Sequence, residues 1–453
     1  VAILVKLNTR DKIMKFDFVK KIYEKTPIKI KFAFLPLFVK VIADNPVFKK
    51  TCKDLENFSE LEPEEQDKVQ FEKLKETLIY AYNHVPYYKQ LFEKYDFKPE
   101  KMVTVDEIKN IPVLTKEKVV EAAEDIYSDE EIPYYTSYTG GSSGKALKCL
   151  LDKDSYYKER AFFTHFLEPL GYDPKKSRTV SFIGHNKGKE FYFSPIKADL
   201  AISPFRLFRE ENFEDIFKLI SDFKPDFITC YASAITYFAK LCKKYNKMLR
   251  LKGVVFTSEN WTSEDIEIVQ SVFKCKVVST YGHTERAVFG YIVDEKCIFD
   301  KLYGYTELIP TDIENEFQIA CTGFISHKMP LIRYVTDDVI QVQEDGSYKL
   351  IGHRKSEVKL IGKNGFPIFK GAMTLHMAET QKVRAYQYVQ NEIGKVELHI
   401  VEEQELTKKE LENIKKYIDQ RCEGLLDVEI KIVQEVKYTP RGKYIWAICN
   451  IKE

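Results

Sequence analysis

The chain has 453 residues, 44% of them apolar and 31% charged, with 70 Lys and Arg against 69 Asp and Glu. That length exceeds what one hydrophobic core organises, so at least two globular units are expected; the near-cancelled charge excludes an overall field that would draw the protein to nucleic acid. Nine cysteines, at 52, 149, 230, 242, 275, 297, 321, 422 and 449, contain no C-x-x-C pair and no cluster with His at metal-ligand spacing, which points to reduced thiols.

The charge is uneven along the chain. Residues 1–50 carry twelve Lys or Arg against Asp11, Asp17, Glu24 and Asp44, a net +8, which leaves −7 on the rest. Phe32–Val39 is an apolar run bounded by Lys31 and Lys40 and broken by Pro36. Two readings stand for residues 1–50: peripheral contact with an anionic bilayer, or a helix docked on the body with its lysines in water. With no signal peptide and no apolar run near the ~20 residues of a membrane span, the expected location is the cytoplasm, or its edge at the inner membrane face.

Residues 64–94 show helical spacing, with NHVPYY at Asn83–Tyr88 ending the helix because Pro86 cannot continue the ladder. Ile111–Thr115 precedes another helix, and Leu147–Leu151 reads as a strand. Thr179–Gly184, Phe227–Tyr231, Val254–Thr257 and Val277–Tyr281 read as short strands, with helices at 213–223, 233–247 and 263–273 between them. This alternation predicts an α/β body with parallel strands. Beyond about 355 the pattern changes: Val396–Val401 and Asp427–Val436 alternate as strands around a helix Thr407–Arg421 whose start is marked by a Thr407/Glu410 capping box. The domains expected are a basic extension over 1–60, a large domain over 61–354 and a small α+β domain over 355–453.

Five short motifs carry the chemistry. In Thr139-Gly140-Gly141-Ser142-Ser143-Gly144-Lys145, small and hydroxyl residues let backbone N–H groups and hydroxyls close around phosphate oxygens. A Walker A loop would need Gly at 139 and Ser or Thr at 146, where Thr139 and Ala146 stand, so that class is disfavoured; a plain surface turn is the alternative. Tyr281-Gly282-His283-Thr284-Glu285 follows an apolar strand, where a carboxylate is placed to hold Mg²⁺ beside phosphates or the segment merely caps a helix. Arg333-Tyr334-Val335-Thr336-Asp337-Asp338 offers a carboxylate after a strand that would accept two ribose hydroxyls, or is a turn. Gly352-His353-Arg354-Lys355-Ser356-Glu357 lies at the composition boundary, and Thr439-Pro440-Arg441-Gly442-Lys443 presents one lysine before an apolar strand, Tyr444–Ile448.

In this order and spacing, with His84–Tyr88 (HVPYY), Ile111–Lys116 (IPVLTK) and Tyr303–Glu307 (YGYTE), the motifs resemble the acyl-adenylate-forming superfamily, most closely its phenylacetate-CoA ligase-like branch with the capsule-biosynthesis and coenzyme F390 synthetase-like proteins. The resemblance runs from about residue 65 to the end. It implies an α/β fold class, with a large multi-sheet N-terminal adenylation body and a small mobile C-terminal α+β domain. It also implies roles. Thr139, Gly140, Gly141, Ser142, Ser143 and Gly144 would hold phosphates; Ser258, Glu259 and Asn260 would edge the adenine. Tyr281, Gly282 and His283 would lie at the nucleotide, Thr284 and Glu285 at phosphate and Mg²⁺, Asp338 at the ribose with Arg354 nearby. Lys443 would bridge the carboxylate and the α-phosphate, and Ser356 would be the hinge. Ala146 replaces the family's proline, and Val335 and Asp337 replace its arginine and glycine.

The implied reaction is ATP-dependent activation of a small carboxylic acid to acyl-AMP, with Mg²⁺, followed by transfer to an acceptor. Coenzyme A is the family default; an amine or sugar in surface polysaccharide biosynthesis is the alternative, and a catalytically dead nucleotide-binding scaffold a third. Relatives with a zinc site place Cys and His after the second motif, whereas Arg286–Lys296 contains neither, so no zinc is expected.

Overall fold

A computed structural model describes residues 26–33, 35, 40–139, 147–182, 191–207, 209–257, 261–351, 358–368, 373, 375, 377–437 and 445–451. The hairpin Tyr134–Tyr138 (β1) and Lys148–Asp152 (β2) pairs antiparallel. Thr179–Phe182 (β3), Phe191–Ser194 (β4), Asp199–Ile202 (β5), Phe227–Cys230 (β6), Gly253–Phe256 (β7) and Lys276–Gly282 (β8) follow; β3, β6, β7 and β8 fall on the apolar runs, whereas β4 and β5 lie outside the strands expected from sequence. β5, β3, β6, β7 and β8 lie side by side and parallel, and β4 runs antiparallel along the edge. Helices Phe213–Phe223, Ala232–Lys244 and Ser263–Phe273 connect them, and Phe227, Ile228, Val254, Val255 and Phe256 are fully buried. A strand covered on both faces reads as a continuous apolar run, which is why these were visible in the sequence.

The expectation of parallel strands covers only part of the sheet. Phe289–Val293 (β9), Lys296–Phe299 (β10), Gly304–Pro310 (β11), Glu316–Gly323 (β12), Tyr334–Val342 (β13) and Tyr348–Leu350 (β14) are antiparallel to their neighbours and extend the sheet to 12 strands, in the order β11-β12-β13-β14-β10-β9-β8-β7-β6-β3-β5-β4. The helix in 64–94 ends where the proline was expected to end it, at His84; Val85 is extended, and Pro86 opens a second helix, Pro86–Lys94, at its first position. A proline there loses no intrahelical bond, because that N–H would have been orphaned anyway.

Past 357, Leu360–Ile361 (β15) and Pro367–Ile368 (β16) form a short ribbon. Val383–Glu392 (β17), Lys395–Glu402 (β18), Asp427–Ile432 (β19) and Ala447–Cys449 (β20) form a sheet ordered β19-β18-β17-β20. Helix Lys408–Cys422, capped by Thr407 and Glu410 as expected, crosses from β18 to the parallel β19. Phe366 meets Tyr237 edge to face at 4.9 Å, and Arg209 donates to the Glu423 carbonyl at 3.4 Å, so this sheet's surroundings pack on the helices of the body. At the other end, Phe32 and Leu35 are buried, Phe32 meets Phe193 edge to face and Phe223 at a tilt, and Lys29 pairs with Asp222 at 2.8 Å. For these residues the docked helix is what forms.

Candidate active site

The C-terminal end of β8 delivers the chain to a turn rather than to a helix, and Phe289 then returns antiparallel as β9. Tyr281 ends the buried part of β8: its ring lies in the core and its hydroxyl donates to Asp338 Oδ2 at 3.1 Å. Ring burial pushes that phenol far above its usual range, and the Asp338 charge adds to this. His283 Nε2 lies 2.9 Å from the same oxygen, with both side chains mostly shielded. Thr284 and Glu285 follow, half-buried, and Glu285 Oε1 accepts from the Tyr334 hydroxyl at 3.0 Å. The turn therefore collects two carboxylates, an imidazole and two phenols at the edge where α/β sheets bind ligands.

Asp338 does not follow a strand, as its motif suggested; it sits inside β13. Val335 pairs with Ala320 and Val339 with Gln318, so Thr336, Asp337 and Asp338 stand opposite the single residue Ile319. Such a bulge bends its strand and re-aims a side chain, and here it brings Asp338 to Tyr281 and His283.

Three motifs that carried the resemblance without a role converge on the start of β13. From HVPYY, the fully buried Tyr88 donates its hydroxyl to the Pro330 carbonyl at 2.9 Å and accepts from Ile332 N–H at 3.0 Å. From IPVLTK, Ile111 offers its carbonyl to Arg333 Nη1, and Leu114 bridges Tyr334 through backbone bonds to Arg333 and Val335. From YGYTE, Glu307 takes the Arg333 guanidinium at 2.8–3.1 Å, a pair buried on both sides. Arg333 and Arg286 both adopt left-handed backbone, φ 52° and 54°, uncommon for residues with a Cβ. They flank Tyr334 and Glu285, which are bonded to one another. Between them Gly304 and Gly323 face each other across β11 and β12, and a Cβ on either would sit 2.7–2.8 Å from the backbone of Ala287.

The glycine loop is pinched at its base: Thr139 N–H donates to the Leu147 carbonyl and Leu147 N–H to the Thr139 hydroxyl, both at 2.9 Å. The Thr139 oxygen thus closes the neck. Gly140, Gly141, Ser142, Ser143, Gly144, Ser258, Glu259, Asn260, Arg354, Ser356 and Lys443 lie outside the described residues. What frames the lysine turn is visible. The buried Gln387 donates Nε2 to the carbonyls of Lys437 (2.9 Å) and Ile445 (2.6 Å) and accepts from Lys437 N–H (3.1 Å), joining the two ends of the segment that holds Lys443.

Two thiols stand behind the turn. Cys149 of β2 and Cys321 of β12 are buried, and burial, with the Glu285 charge next, holds both well above the ordinary thiol range. Sequence reasoning missed Arg333, Glu307 and Tyr334 as a support, and it placed His283 at the nucleotide without foreseeing its contact with Asp338. The signal for the first three was the repeat of Y-G-x-T-E at 281 and 303, whose second copy is spent on structure.

Residues 360–450 match the family described as CapK C-terminal domain. Protein CapK of Staphylococcus aureus is 23% identical over 416 residues, spanning 85% of this chain and 89% of that protein. Solved structures of 2-hydroxyisobutyryl-CoA ligase, one in the postadenylation state with R3-HIB-AMP and one in the thioesterification state with 2-HIB-AMP and CoA, superimpose at TM-score 0.52 with 14% identity, over 86% of this chain and 90% of each. The C-terminal part of the chain is thus similar to the CapK C-terminal domain, and the chain as a whole has the fold of these solved structures. The bulged strand β13, the β8 turn and the neck of the glycine loop are parts of that one fold.

Proposed function

We propose that this protein activates a small carboxylic acid with ATP to give acyl-AMP and pyrophosphate, then transfers the acyl group to a thiol of the coenzyme A kind. The observation that carries the reading is Asp338, turned out of β13 by a bulge and met by Tyr281 and His283 beside the Glu285 turn. A carboxylate fixed by two side chains at a sheet's C-terminal edge suits a vicinal ribose diol. Glu285 fits magnesium: that ion takes one or two carboxylates and completes its shell with phosphate and water, and among the described residues no set of three His, Cys, Asp or Glu could hold a metal by itself. Bound there with ATP, Mg²⁺ would neutralise phosphate charge.

The acid is already a nucleophile at neutral pH, so this chain's task is alignment and charge balance rather than proton removal. Asp338 would orient the ribose, the loop 139–145 would enclose the phosphates, and Lys443 would stand between carboxylate and α-phosphate. The unit 355–453 would turn about Ser356 to exchange the adenylation face for the transfer face. No described helix is long and apolar enough to cross a membrane; work in the cytoplasm, with peripheral contact of the basic segment 1–50 with an anionic surface, belongs to the same proposal.

ATP–pyrophosphate exchange against a panel of acids tests the reaction, and Asp338→Ala tests the site. Loss of a charged acceptor should weaken ATP by about 1.5–3 kcal/mol in a folded variant; unchanged affinity by calorimetry would remove Asp338 from the nucleotide. Acceleration by CoA marks a thiol acceptor, and hydroxamate formation with no CoA effect marks an amine.

A further inference from the structure

Helix Lys153–Leu167 leaves β2 and lays Ser155, Tyr156, Glu159 and Arg160 along one side. Ser155 and Glu159 hold Arg286, at 2.8 and 2.6 Å, and Arg286 lies over the Tyr135 ring at 5.6 Å. That arginine is answered. Arg160 is not: its Nη2 donates to the Tyr172 hydroxyl at 3.0 Å, its guanidinium lies 5.0 Å from the Phe163 ring, and its buried Nε has no hydrogen-bond partner among the described residues. Lys197, in the turn between β4 and β5, reaches over the Tyr156 ring at 5.5 Å.

Among the described residues, no carboxylate lies within 4.0 Å of Arg160 or Lys197. Asp199 is within electrostatic reach of both, but its carboxyl is engaged by the Ser181 hydroxyl at 2.5 Å, and burial pushes its pKa up to about 6. Burial and the Arg160 charge together lower the Lys197 amine below its usual range. Three cations thus face two carboxylates, Glu159 and Asp199, and an unpaired guanidinium N–H withdrawn from water is costly unless something arrives to accept from it. The cluster adjoins both reaction elements, since Arg286 follows Glu285 directly and Tyr135 lies on the strand that leads to the glycine loop.

We propose that Arg160 and Lys197 form a subsite for a second oxyanion, a phosphate or carboxylate carried by the acid or by the acyl acceptor in addition to the carboxylate that is activated. The placement rests on the adenylation reading; the anion site itself does not. Calorimetric titration with inorganic phosphate, and separately with malonate, with AMP saturating the nucleotide site, should show one anion per chain. Affinity should fall at least tenfold in Lys197→Gln, a change in the turn between β4 and β5 rather than in a strand or helix, and in Arg160→Gln, each provided it melts as the parent does. Parent affinity in Lys197→Gln, or no binding of either anion to the unaltered protein, overturns the subsite. If AMP fails to bind while phosphate binds in a Lys197-dependent way, the adenylation reading falls and the subsite stands. With active protein, a Lys197→Gln defect in KM for dicarboxylic or phosphorylated acids during pyrophosphate exchange assigns the anion to the acid. A defect confined to transfer from preformed acyl-AMP assigns it to the acceptor, and parent behaviour in both overturns the proposal.

Discussion

Asp300 illustrates how a charge can be incidental to what a residue does. Its Oδ1 accepts Leu302 N–H at 2.9 Å and Tyr303 N–H at 3.3 Å, setting the turn from β10 to β11, while burial raises its pKa to about 6. A carboxyl that binds its proton more tightly folded than unfolded contributes stability below its unfolded pKa, and that contribution is lost as pH rises through about 6. Above that the buried charge is a standing penalty. Asp300→Asn keeps the accepting oxygen, so it should stabilise the fold by about 1–3 kcal/mol at pH 8 and by nothing near pH 3.5. Urea melts at the two pH values check this; a loss at pH 8 would mean the charge has a partner the turn needs. The residue level was also where the sequence was least legible. Asp338 stood out as a carboxylate in a short motif, but its position inside a strand depends on a bulge, and that depends on the partner strand's register. His283 occupied a variable position in its motif, and its bond to Asp338 joins residues 55 apart in sequence.

At the scale of elements, Arg333 binds four segments together: the loop held by Tyr88, the bridge at Leu114, strand β12 through the Thr322 hydroxyl, and strand β11 through Glu307. Removing one partner of a buried ion pair leaves a bare charge, at about 3–5 kcal/mol, whereas replacing both by apolar residues is often neutral. Glu307→Leu should therefore cost about 3–5 kcal/mol in denaturant unfolding, and Glu307→Leu with Arg333→Met should recover most of it. A double variant no better than the single would show that the Arg333 bond to the Ile111 carbonyl, rather than the ion pair, holds the strand. The same contrast explains which elements could be read. β6 and β7 are short apolar runs buried on both faces, and helices Phe213–Phe223 and Ser263–Phe273 fall where periodicity puts them. β11 to β13 alternate irregularly, with Glu307, Thr322 and Arg333 buried among apolar neighbours, so neither a period of two nor an apolar run marks them.

For the whole molecule, the reaction is proposed to need residues from both ends of the chain. Lys443→Ala should slow pyrophosphate exchange by about 10²–10³-fold, the usual loss of one preorganised donor, and still turn over synthetic acyl-AMP near the parent rate. Equal damage to both halves would take the lysine out of adenylation. Gln387→Leu, which unties the neck of the same turn, should shift exchange in the same direction by a smaller factor. Cys149 and Cys321, sealed behind the Glu285 turn with their thiols held protonated, also give the protein a stopwatch of its own. An alkylating reagent reaches them when β2 or β12 parts from its neighbours, so the labelling rate follows the fraction of time that wall stands open. Slower labelling with ATP present would time how tightly the nucleotide shuts that wall, with no substitution made and no product assayed.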